Sequence, residues 1–135
     1  MAYSTNFSDA AHRHNHAAEC LYDCEPARRR RDVAGYLYGL AAECALKEIL
    51  RRSHSRILAE NPDTLRAHFP HIKTGIRDTA FGRHASRLQK FCGTGFMQEW
   101  DIAMRYAHRR EVPDARVTQW RADAKAALET MEELG

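Results

Sequence analysis

The chain has 135 residues, 44% of them hydrophobic and 29% charged, with a net charge of +3. This composition excludes a disordered or fibrous chain, and the length suits one domain, residues 1–135, with one core. Of the 21 basic residues seventeen are arginine, and only Lys47, Lys73, Lys90 and Lys125 are lysine. Arginine forks onto phosphate and carboxylate, so the bias fits an anionic partner, although a GC-rich genome produces the same bias.

A first helix is expected from about Phe7 to Cys24, capped by Ser4 or Thr5, with Phe7, Ala10, Ala11, His14, Ala18 and Leu21 along one apolar stripe. Pro26 interrupts, and a second helix follows from about Ala27 to Arg52. Its stretch from Val33 to Leu50 is apolar on nearly every side, which makes it the central helix. Gly35 and Gly39, four apart, weaken a helix interior unless another helix approaches closely there. The uncharged part, Val33 to Ala42, is too short to span a bilayer. The first residues carry no basic stretch followed by an apolar run, so a cytoplasmic protein with no membrane partner is expected.

Asn61-Pro62-Asp63 marks a turn, Pro70 breaks any continuous helix and Gly75 offers a stop. A third helix is expected over Arg77 to Phe91, packing Phe81, Ala85 and Leu88. Thr94 then caps a fourth, whose inner face carries Phe96, Met97, Trp100, Ala103 and Met104. Pro113 and Asp114 open the last helix, with Val117, Trp120, Ala124, Ala127, Leu128, Met131 and Leu134 as its stripe. The fold expected is all-α, a compact antiparallel bundle of four to five helices joined by mostly short turns.

No phosphate loop, GxGxxG turn, GxSxG elbow or HExxH pair is present, which removes the commonest routes to an enzyme. Cys20, Cys24, Cys44 and Cys92 form no CxxC pair and are read as reduced thiols. His12 and His16, continued by Cys20 and Cys24 at intervals of four, allow two zinc ligands. Four along one helix are spread too far for a single tetrahedral ion. Solvated histidines and thiols are the plainer account, and neither a metal nor a cofactor is expected.

Other polar residues are candidates for chemistry. His14 lies on the apolar stripe of the first helix, where it is either a satisfied core residue or a proton-transfer group. Glu43 and Lys47 share a face with Tyr36 and Leu40; if buried, the pair needs further hydrogen bonds, from a residue such as His14 or Tyr36. On the expected fourth helix Asp101, Arg105 and His108 fall on one face. They form either a solvent-facing ion pair or a phosphate clamp with an acid–base histidine, the pair of groups that RNA cleavage requires. Arg28, Arg29, Arg30 and Arg31 oppose the helix dipole at the start of the second helix, as a candidate nucleic-acid contact or as a turn neutralised by Glu25 and Asp32.

Three blocks of this sequence resemble small stand-alone bacterial proteins of the HEPN-like group: Arg13-His14-x-x-Ala-Ala18-Glu19-x-Leu21, Tyr36-Leu37-x-Gly39-Leu40-Ala41-Ala42-Glu43-Cys44-Ala45-Leu46-Lys47, and Trp100-x-x-x-x-Arg105-Tyr106. Residues 53–90 match loosely. The resemblance implies a helical bundle that forms a homodimer, in a superfamily of toxin–antitoxin and phage-defence effectors, many of which cut RNA without metal. Such effectors pair with an antitoxin or a defence ATPase encoded nearby. The nucleases carry an arginine followed four to six residues later by a histidine near the start of a late helix. Here Arg105 precedes His108 by two intervening residues, Arg66 and His71 have the family's interval in a proline-broken segment, and Arg77 and His84 have six between them.

The resemblance thus implies RNA cleavage or binding, with Arg105 on phosphate, His14 or His108 transferring protons, and Arg13, Glu43, Lys47 and Tyr106 as a supporting network. The alternative is a non-catalytic module that binds a protein or a nucleotide, and a weaker third is a zinc-dependent regulator.

Overall fold

Asn6, not Ser4 or Thr5, caps the first helix: its side chain accepts from the backbone N–H of Asp9 at 2.9 Å, and α1 covers Phe7–Tyr22. The structure, a computed structural model, describes residues 3–79 and 85–134, without the side chain of Thr79. Five more α-helices follow among the described residues: α2 Arg31–Ser53, α3 Ser55–Glu60, α4 His71–Thr79, α5 Ala85–Gln89 and α6 Asp114–Leu134. Short 3-10 turns cover Pro62–Arg66, Lys90–Cys92, Ile102–Tyr106 and Arg109–Glu111. The protein is an all-α bundle; no strand is found among the described residues, and no helix there is long and apolar enough to cross a membrane.

The three long helices make the frame. The hydroxyl of Tyr38 on α2 donates to Glu19 on α1 at 3.0 Å, and Lys47 lies over the Phe7 ring at 6.0 Å, so the two helices run antiparallel. Gly35 of α2 faces Val117 and Trp120, and Arg52 donates to the Met131 carbonyl at 3.3 Å, so α2 and α6 run parallel. Residues 54–113 are the crossover that makes this possible, carrying the chain from the C-terminal end of α2 back to its N-terminal end. The expected apolar stripe of α6 is buried from Val117 to Met131, with Leu134 partly covered.

The crossover departs most from the sequence reading. Of the helix expected over Arg77 to Phe91, Arg77 to Thr79 belong to α4 and Ala85–Gln89 form α5, the end at Phe91 lies in the 3-10 turn Lys90–Cys92, and residues 80–84, with the expected packing residue Phe81, lie outside the described residues. Gly75 sits inside α4 and stops nothing, its missing Cβ leaving room for Thr64. Thr94 caps no α-helix, and residues 94–108 hold none. Phe96, Met97 and Trp100 are buried as expected, but on a loop whose Met97 and Glu99 take positive φ of 49° and 66°.

The reason lies in what the loop must reach. The Trp100 indole donates to the Gly35 carbonyl at 3.1 Å, the Trp120 indole to the Gln98 carbonyl at 2.9 Å, and Asp123 accepts from Met97 N–H at 2.8 Å. A helix through 94–108 would turn the Gln98 carbonyl and Met97 N–H inward along its own axis.

Gly39 is where α2 lets this loop in. A Cβ there would lie 2.0 Å from Cε2 of Trp100, an indole that is itself 2% exposed. Gly39→Ala is expected to lower Tm by roughly 5–15 °C through overpacking, read by circular dichroism; Gly95→Ala, with open space around it, is the control.

A polar staple joins the three long helices at Glu19, which accepts Tyr38 and takes Arg121 of α6 in a fork at 2.9 and 2.8 Å. The Arg121 bonds hold the Glu19 carboxyl below its ordinary value of 4.5. A lowered carboxyl contributes stability that is present above the unfolded value and is lost as pH falls through the folded one. Melting curves between pH 7 and 3 should therefore show the wild type losing more stability on acidification than Glu19→Gln.

Candidate functional site

Glu43 and Lys47 are both buried on α2, at 2% and 6% exposure, so the pair does lie in the interior. Their partners are not those expected. Glu43 accepts from the backbone N–H of Phe69 at 2.8 Å and pairs with Nδ1 of His68 at 2.9 Å, whereas Tyr36 stacks on Trp100 and His14 makes no bond to Glu43. Lys47 faces the Phe7 ring, with Glu43 near enough to influence it but not to form an ion pair. Burial pushes the Glu43 carboxyl up and the Lys47 ammonium down, each partly offset by its neighbours. Burial also pushes the Cys44 thiol up to about 11, so it is protonated and inert.

This arrangement ties the segment before α4 to the central helix. An ionised Glu43 fixes Nδ1–H of His68 toward itself and leaves Nε2 of that half-exposed ring as an acceptor facing outward. A raised carboxyl favours the fold most below its unfolded value and loses that contribution as pH rises through the folded one. Replacing Glu43 by Gln removes the titration, so the Tm of the wild type relative to Glu43→Gln should be higher at pH 4.5 than at pH 7.5.

The other sequence candidates are dispersed. His14 is half-buried on α1, and burial, then Arg13, lowers its pKa. Arg13 itself pairs with Asp9 at 2.9 Å on the exposed side. His12 pairs with Glu132 at 2.6 Å and His16 touches Cys20 at 3.8 Å; no group of three or more metal-ligating side chains occurs among the described residues. Arg66 and His71 border different clefts, Arg66 that between Phe7 and Leu65 and His71 that between α4 and residues 94–101. His84, the partner of Arg77 in the remaining interval, lies outside the described residues.

Asp101, Arg105 and His108 do not share a helix face, because the helix that would align them is replaced by two 3-10 turns. Asp101 caps the first turn by accepting from Ala103 N–H at 2.8 Å, and Arg105 lies over the Tyr106 ring at 4.8 Å. His108 caps the second, its Nδ1 accepting from Arg110 N–H at 3.1 Å. The neutral ring therefore carries its proton on Nε2, where it can donate a hydrogen bond to an anion but not accept one. No hydrogen bond or ion pair joins His14 to Arg105 or His108.

One set of candidates is brought together, with additions. Arg29, Arg30 and Arg31 line a cleft of about 310 Å³ with Arg109 and Arg110 of the last 3-10 turn, while Arg28 stays outside it, paired to Glu25 at 3.0 Å. Arg30 is matched by Asp32 at 2.9 Å and Arg31 by Asp114 at 3.3 Å, the neutralisation that Asp32 promised in the sequence. Arg109, Arg110 and Arg29 have no carboxylate partner among the described residues. The Nη2 of Arg29 donates to the Cys24 carbonyl at 3.3 Å, and its Nε is buried without an acceptor.

The helices add to the charge. Because α2 and α6 run parallel, both N-termini border this cleft, each bringing the positive end of its dipole. No side chain caps the start of α2. Five guanidiniums against two carboxylates, at the positive ends of two long helices, form a place where an anion is attracted and the unpaired guanidiniums gain acceptors. His68, Arg109 and Arg110 escape the sequence reading because their roles depend on contacts across the crossover.

No family model matches the chain, and no curated protein or solved structure matches it either.

Proposed function

We propose that this protein binds RNA through the arginine cleft at the shared N-terminal end of α2 and α6. The observation that carries the reading is that cleft, where three guanidiniums lack a carboxylate and one buried Nε lacks any acceptor. The cleft's chemistry calls for phosphate. RNA as its source comes from the HEPN-like resemblance of residues 39–47, which also implies a homodimer and a partner protein such as an antitoxin or a defence ATPase.

Cleavage is the second reading, and His108 is the residue that favours it. It adjoins Arg109 and Arg110, and its Nε2–H donates a hydrogen bond toward phosphate; protonating a leaving oxygen takes the imidazolium form, in which Nδ1 gives up the bond from Arg110 N–H, whereas His14 is half-buried in another helix. Arg105, one turn earlier, supplies a cation for the developing charge on phosphorus.

Fluorescence anisotropy with a labelled 12-nucleotide single strand, titrated with salt, tests the binding reading. Arg109 and Arg110 are exposed, so Arg109→Ala/Arg110→Ala should keep the wild-type Tm. It should bind roughly tenfold or more weakly at low salt, with the slope of log K on log[salt] smaller by about 1.4, each guanidinium that neutralises a phosphate accounting for about 0.7. An unchanged Kd and slope would remove the arginine cleft as the interface. Incubation of the same strand with EDTA separates the two readings: fragments that disappear in His108→Ala mark a nuclease, and intact strand marks a binding module.

A further inference from the structure

A second cleft, of about 430 Å³, adjoins the first and shares Val112 with it. Its walls are Met104, Pro113, Val112 and Trp120, and Tyr106 stands at its mouth. The Tyr106 ring is 79% exposed, although it is carried on a turn whose neighbours Met104 and Ala107 are partly covered. Arg105 stacks on that ring at 4.8 Å, and the Trp120 indole is held by the Gln98 carbonyl. On the rim, Arg116 pairs with Glu99 at 3.2 Å, and Glu111 accepts from the backbone N–H of His108 at 3.3 Å. The cleft is thus an aromatic-mouthed apolar slot, with unmatched guanidiniums a few residues away in the sequence at Arg109 and Arg110.

We propose that this slot receives an unpaired base of the RNA strand whose phosphates lie on Arg29, Arg109 and Arg110, so that the protein selects single strands over duplex. The inference rests on the RNA reading above. The charge next door decides the occupant: an apolar peptide would gain nothing from the arginines, whereas a nucleotide unit presents a flat apolar base and an anion joined by a sugar. Single-stranded nucleic acids are recognised in this way, by a basic groove that follows the backbone and by aromatic side chains that stack on successive bases. In a duplex both faces of a base are covered by its neighbours, so neither the Tyr106 ring nor the slot behind it could be used.

The test compares three probes at one salt concentration: a labelled 12-nucleotide single strand, the same strand with abasic sites throughout, and a 12-base-pair duplex. Expected is at least tenfold tighter binding of the base-bearing strand than of the abasic one, from stacking on an aromatic ring, with the duplex weaker than the base-bearing strand. Tyr106→Ala, an exposed change whose fold is checked by its Tm, should weaken the base-bearing strand about tenfold and leave the abasic strand unchanged, and Tyr106→Phe should restore the preference. Equal binding of base-bearing and abasic strands, an equal loss on both in Tyr106→Ala, or tighter binding of the duplex would overturn the base slot while the arginine cleft stands. Failure of the wild type to bind any of the three probes would overturn the RNA reading itself and the slot with it.

Discussion

The close approach of two indoles to the central helix is the contact on which the rest of the structure depends. Gly35 and Gly39 leave the surface of α2 bare over one turn, and Trp120 and Trp100 lie directly on it. Each indole is large enough to dominate its part of the core, and each N–H is satisfied by a backbone carbonyl rather than left buried and unpaired. Since Trp100 belongs to the crossover and Trp120 to α6, this one strip of α2 sets the position of both. The strained backbone at Met97 and Glu99 follows from it, because the loop must bring Trp100 inward while offering the Gln98 carbonyl to Trp120 and the Met97 N–H to Asp123.

Parallel alignment of α2 and α6 is the second consequence, and it concentrates charge. Two antiparallel neighbours would largely cancel their dipoles; two parallel ones add them at one end of the bundle. The chain places five arginines at that positive end, where each opposes the dipole. Asp32 and Asp114 offset two of them. Folding gives no reason for the remaining three, and a bound anion does: it would be attracted by the same dipoles and would supply the missing acceptors.

Glu43 works in the opposite sense, as a charge taken inward. Its two N–H donors and the neighbouring Lys47 are too few to cancel the effect of burial, so the carboxyl stays raised while it ties residues 68–69 to α2. The segment before α4 would otherwise be held through apolar contacts such as those of Phe69 with Phe96 and Trp100, which fix depth but not register. A polar network serves the purpose of specifying one arrangement, and it places His68 at the surface in one orientation.

By itself the sequence determined the all-α class, the central place of α2, the shared face of Glu43 and Lys47, the close packing at Gly35 and Gly39, and α6 almost to the residue. All of these are properties of one helix at a time, carried by 3.6-residue periodicity, by Pro113 before the last helix and by the absence of side chains at the glycines. What tertiary structure decided is everything that depends on two segments meeting. Residues 94–108 have helical spacing, yet contacts to Gly35, Trp120 and Asp123 outweigh that local preference, so the shared face of Asp101, Arg105 and His108 never forms. Glu43 found His68 instead of His14, and Arg29 to Arg31 found Arg109 and Arg110, because a crossover of some sixty residues returns the chain to the start of α2. Periodicity reports which face of an element is buried; which partner covers it is settled by the packing of the whole chain.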